Sequence, residues 1–113
     1  APVILGDGRQ TRDFVFVEDV ARANLLAAQA DDEPGAVFNI GSGRSVTIAD
    51  LVQSLRRLVP GIPEPTFGPA RVGDIRLSSG RIDRAQQVLG YRPETALSDG
   101  LAATVEWGRG ARP

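Results

Sequence analysis

Apolar positions along the chain fall into several short unbroken runs and one long helical repeat. Val3, Ile4 and Leu5 form a run that stops at Gly6-Asp7-Gly8, a pairing of strand and turn signals. Residues 14–17 (FVFV) are apolar without alternation, β-branched and aromatic, which predicts a strand covered on both faces. Glu18 and Asp19 follow, suited to the N-terminus of a helix over residues 20–30. That segment is alanine-rich on nearly every side, as in a helix packed closely against other elements. Residues 37–40 (VFNI) predict a second buried strand, leading into Gly41-Ser42-Gly43.

Thr47 with Asp50 three positions on has the form of a capping box. Beyond it Ile48, Leu51, Val52, Leu55, Leu58 and Val59 recur at helical spacing, with Arg56 and Arg57 outside, until Pro60-Gly61. The proline-rich stretch to Gly80 reads as irregular, with one short strand at Thr66-Phe67. Asp83 begins a short helix to Leu89, directing Ile82, Ala85, Val88 and Leu89 inward and stopping at Gly90. A last helix starts at Thr95 or Ser98 and reaches Trp107. There is no internal repeat or interdomain linker, and the class is α/β, with short strands and about four helices.

Composition narrows the chemistry. The 113 residues allow one domain with a modest core, and the net charge of −1 offers no basic excess toward nucleic acid or an anionic membrane. Cysteine and histidine are absent, which removes thiolate and imidazole chemistry and disfavours zinc, haem and copper. All 13 basic residues are arginine, so the chain has no P-loop lysine, Schiff base or Tyr–Lys pair. The absence of methionine means a removed initiator or a piece of something longer. No apolar run approaches the ~20 residues of a membrane helix, and a cytoplasmic location is the expectation.

Four residues are candidates for binding. Gly41-Ser42-Gly43 between a strand and a helix imitates a dinucleotide phosphate loop, but the position of its third glycine holds Val46. A plain turn is the simpler reading, with a cofactor loop as the alternative. Arg12, beside an apolar run, either pairs with Asp7 or Asp13 or grips a phosphate with its fork. Arg71 and Asp74 flank a glycine, so one loop could offer a donor fork and a carboxylate to a nucleoside diphosphate; a salt-bridged surface loop is the alternative. Asn39, the one polar residue in VFNI, either ties neighbouring backbone together or faces a ligand. Residues 31–33 read as a solvated turn, and Tyr91 as a packing residue.

The order of these blocks is more specific than any one of them. GDGRQTRDFVFVEDVARA, VFNIGSG, an amphipathic helix, ARVGDIRLSSGRIDRAQQVLGYRP and LSDGLAATVEW together resemble the C-terminal part of extended short-chain dehydrogenases/reductases. These are the NAD-dependent nucleotide-sugar epimerases and dehydratases, and the form here is most similar to UDP-glucose 4-epimerases. The resemblance covers essentially the whole chain. It implies that Arg12 and Arg71 contact a nucleotide diphosphate, that Asp74 holds the ribose, and that Asn39 faces the nucleotide, with residues 3–5 nearby. It further implies that residues 1–113 are a nucleotide-sugar-binding region whose segment 13–40 attaches to the edge of a Rossmann sheet not in this chain.

Family members are about three times longer, with the NAD loop and the Tyr-x-x-x-Lys pair in their N-terminal part. The expectation is therefore a UDP- or dTDP-sugar as partner, NAD in the complete enzyme but not on this chain alone, and no catalytic residue here. Self-association, or pairing with an N-terminal Rossmann part, is expected to cover exposed edges. The alternative is a non-catalytic nucleotide-sugar-binding module or the complementing half of a split enzyme.

Overall fold

Four helices and four very short strands follow one another among the described residues of a computed structural model, 1–31 and 34–110. They run β1 (Val3–Leu5), β2 (Thr11–Arg12), α1 (Val17–Gln29), β3 (Val46–Thr47), α2 (Ile48–Leu58), β4 (Thr66–Gly68), α3 (Asp83–Leu89) and α4 (Leu97–Gly110). Strand β1 pairs in parallel with β4, Ile4 opposite Phe67, and β2 pairs antiparallel with β3, Arg12 opposite Val46. Gly6 and Gly8 adopt φ of 96° and 77°, which lets the chain turn sharply between β1 and β2.

Helix α2 is the one the hydrophobic period defined best. Thr47 caps it, its hydroxyl accepting from the Asp50 N–H at 3.0 Å. Helix α3 ends as expected at Gly90, in the left-handed conformation with φ 69°. The core lies between α1 and α3, where Ala23, Ile82, Ala85, Leu89 and Tyr91 are buried, with Leu26, Phe38 and Ile40 packed against them. Alanines on α1 serve this contact by letting the two helices approach.

Two expected strands do not form. Residues 14–16 form no strand, and α1 begins at Val17 rather than residue 20. Gly100 of α4 explains where the apolar run goes. A Cβ there would stand 3.1 Å from the Phe16 ring, so the phenylalanine lies on a helix, not in a ladder. Residues 37–40 are also unpaired, and their outward face is open: Val37 is 79% exposed and Asn39 is exposed, while Phe38 and Ile40 are half-buried. The expectation that Asn39 sits in a buried run is thus corrected. A short apolar run states that one side must be covered, and does not say by what. The last helix starts at Leu97, between the two expected positions. Asp32 and Glu33 of the expected turn lie outside the described residues.

The chain is open in shape. Its radius of gyration of 16.6 Å exceeds the about 13 Å usual for this length. Its accessible surface of 8013 Å² exceeds the roughly 6,000 Å² of a compact monomer of this mass. Val3, Phe67, Ile75 and Leu77 are each more than half exposed.

Candidate nucleotide-binding site

Backbone pairing at Thr11 builds the site. Its N–H donates to the Arg76 carbonyl at 2.8 Å, and its carbonyl accepts from the Ser78 N–H at 3.2 Å. The segment after the Arg71–Asp74 loop therefore runs beside β2 and brings that loop to Arg12 across 62 residues of sequence. One Arg12 amino group donates to Asp74 Oδ1 at 2.6 Å and the other to the Thr11 carbonyl at 2.6 Å. Both side chains keep about a third of their surface in solvent, 27% for Arg12 and 30% for Asp74. Neither Asp7 nor Asp13, the partners expected for Arg12, takes this place.

Arg12, Arg71 and Asp74 line one shallow cleft of about 240 Å³, closed below by Gly73 at φ 80°. The Asp74 N–H donates to the Arg71 carbonyl at 3.2 Å, which curls the loop so that both side chains leave it together. Arg71 is exposed, and its guanidinium has no acceptor among the described residues. Asn39 lines the adjoining cleft of about 220 Å³, whose other wall also carries Arg12, with Ser78 and Ser79 between. Arg12 belongs to both clefts, so three of the four candidates meet directly and Asn39 meets them through Arg12. Two donor forks, one carboxylate and one amide can grip an anion and accept from hydroxyls. No paired acid and base stands among them.

The Gly41-Ser42-Gly43 turn is already engaged. The Ser42 N–H, the Gly43 N–H and the Ser42 hydroxyl all donate to the Asp13 carboxylate, at 2.9, 3.0 and 2.5 Å. The N–H groups opening α2 are engaged too: Ile48 donates to the Gln10 carbonyl and Ala49 to the Gly8 carbonyl, each at 3.0 Å, and Asp50 to Thr47. A phosphate loop works by leaving such groups free to meet the phosphate. With these donors taken and Val46 at the third glycine position, this turn does not fit the phosphates of a dinucleotide cofactor. Sequence reasoning missed the role of Asp13; consecutive N–H donors in a Gly-Ser-Gly turn are the signal that a carboxylate belongs nearby.

Tyr91 is fully buried and donates to the Gly41 carbonyl at 2.8 Å. Burial first, then the charge of Asp19, raises its pKa, with Arg22 opposing, so the phenol stays neutral. A larger cavity, about 440 Å³, adjoins the turn and is lined by Ser42, Arg44 and residues 93–97. It contains none of the four candidate residues, and volume alone does not make a binding site. Among the described residues no cluster of His, Cys, Asp or Glu could hold a metal, and no helix is long and apolar enough to cross a membrane.

Both the sequence and the fold have counterparts among known proteins. The NAD dependent epimerase/dehydratase family matches residues 1–41. UDP-glucose 4-epimerase of Mycolicibacterium smegmatis is 42% identical over 106 residues, 94% of this chain and 34% of that protein. The crystal structure of UDP-glucose 4-epimerase from Thermotoga maritima with UDP-glucose superposes with a TM-score of 0.90 at 42% identity, over 96% of this chain and 35% of that one. MoeE5 in complex with UDP-glucuronic acid and NAD gives a TM-score of 0.88 at 42% identity, over 95% and 36%. This α/β chain is therefore a homologue of NAD-dependent UDP-sugar 4-epimerases that spans about a third of their length.

Proposed function

We propose that this chain is the C-terminal, nucleotide-sugar-anchoring part of an NAD-dependent sugar 4-epimerase, with a UDP-sugar as its ligand. The observation that carries the reading is the convergence of Arg12, Arg71 and Asp74 on one cleft from distant parts of the chain. Arg71 and Arg12 grip the diphosphate, and Asp74 accepts from the ribose hydroxyls. Asn39 faces the nucleotide from the adjoining cleft. Asp74 already holds Arg12, so the fork is oriented before the ligand arrives and less freedom is lost on binding.

In the complete enzyme NAD supplies hydride transfer at the sugar. The glycine-rich turn of this chain is filled by Asp13 and the chain contains no lysine, so its own contribution is positioning: binding energy from the non-reacting nucleotide orients the sugar. By itself it is catalytically inactive. Calorimetric titration with UDP, dTDP and GDP tests the reading. UDP binds, and Arg71→Ala weakens it about 10- to 100-fold, the loss of a charge-assisted contact. Absence of binding by every nucleotide sinks the proposal.

A second reading rests on the open shape and exposed apolar side chains. The chain acts as one half of a larger assembly and covers these faces by pairing with a Rossmann part or with itself. Light scattering of the isolated chain gives a mass above that of one copy if it pairs with itself, and a strict monomer contradicts self-association and leaves pairing with a Rossmann part.

A further inference from the structure

The carboxylate of Asp13 sits in the Gly41-Ser42-Gly43 turn with more contacts than a surface aspartate needs. Its Oδ1 accepts from the Ser42 N–H and hydroxyl, and its Oδ2 from the Gly43 N–H at 3.0 Å. The Ser42 hydroxyl accepts in turn from the Arg44 N–H at 3.1 Å, which fixes its direction. Gly41 admits the carboxylate because it has no side chain; a Cβ there would lie 2.6 Å from Asp13 Oδ2. The buried Tyr91 hydroxyl holds the Gly41 carbonyl from the other side. An anion-binding turn is thus filled by an internal anion and tied to the core.

Asp13 directly follows Arg12, whose backbone is held on its N-terminal side by the two-residue strand β2 and the bonds of Thr11 to Arg76 and Ser78. Beyond that strand, the clamp on Asp13 is the next fixed point along the chain. We propose that Asp13 is a positioning residue for ligand binding: seated in this turn, it fixes the backbone that aims the Arg12 guanidinium at the diphosphate. The inference rests on the reading of Arg12 as a diphosphate contact. It assigns the glycine-rich turn a task on the nucleotide-sugar side, with no cofactor involved.

A double-mutant cycle on the full chain tests it, with UDP affinity read by calorimetry for wild type, Arg12→Ala, Asp13→Asn and the double variant. Arg12→Ala and Asp13→Asn each weaken UDP about tenfold, and the double variant also loses about tenfold, because Asp13 acts through Arg12. A merely structural Asp13 gives additive losses, about a hundredfold in the double variant, and overturns the proposal. So does an Asp13→Asn chain that binds UDP as wild type does. Should Asp13→Asn fail to fold, the cycle is run with Ser42→Ala, which removes one donor and leaves the backbone contacts; a loss of about threefold that vanishes in the Arg12→Ala background is expected, and an additive loss overturns the proposal. Failure of wild type to bind UDP overturns the functional reading and this one with it, whereas additivity in a chain that binds overturns this one alone.

Discussion

Arg22–Asp19 and Arg12–Asp74 are the same two residue types, joined at 2.9 and 2.6 Å. Asp19 lies on α1 with its side chain 2% exposed, and besides Arg22 it accepts from the backbone N–H groups of Glu94 and Thr95. It ties the start of α1 to the segment entering α4, and every oxygen has a donor. Asp74 lies on an open loop, with Arg12 as its side-chain partner, and both remain partly in solvent. Burial decides what each pair can do. Arg22 is itself a third exposed, so the difference lies in the carboxylate: a buried carboxylate whose every oxygen is bonded is costly to strip of its partners and holds the fold. A pair in which both side chains are partly exposed contributes little stability and can exchange a partner for a ligand.

Removing Asp19 gives the largest expected effect. Asp19→Ala strands part of the Arg22 fork and two part-buried N–H groups, and lowers stability in urea by about 2–3 kcal/mol. Burial raises the pKa of this carboxyl, but the Arg22 guanidinium and the two N–H groups outweigh it, and the net position is below the ordinary 3.8. The fold therefore favours the charged form. Its contribution is complete above about pH 5 and is lost as pH falls through about 4 and below. Melting temperature falls in that window for wild type and falls less for Asp19→Asn. An identical acid profile in the two proteins would show that Asp19 does not carry it.

Arg76 and Asp7 are expected to matter least. Their pair is 3.0 Å long, with side chains 61% and 49% exposed. The Arg76 hydrogen bond, chiefly, holds the Asp7 carboxyl below its ordinary range. Solvent screens such a pair. Arg76→Ala leaves the urea midpoint unchanged within error, and a shift comparable to that of Asp19→Ala would erase the distinction between buried and exposed carboxylates.

The helices were legible in the sequence where periodicity and punctuation agreed. Helix α2 shows both, with Thr47 at its start and Pro60-Gly61 beyond its end. So does α3, with Gly90. Strand β4 was legible from Thr66 and Phe67 within a proline-rich stretch. Residues 14–17 and 37–40 were misread as strands because a ladder requires a neighbour, and no pattern inside one segment names the neighbour. Of the site, the Arg71–Asp74 spacing was readable locally. The Arg12–Asp74 contact was not, since it depends on Thr11 bonding to Arg76 and Ser78 far along the chain. The Asp13 clamp hid for the same reason: one end of it lies in each of two separate motifs.

Arginine side-chain NMR tests the nucleotide-anchoring claim most directly. In a UDP titration followed at the Nε–Hε signals, Arg12 and Arg71 shift and saturate together, while Arg22, paired with the buried Asp19, stays in place. Unmoved Arg12 and Arg71 at saturating UDP, or a response centred on Arg44 in the larger cavity, would contradict the account.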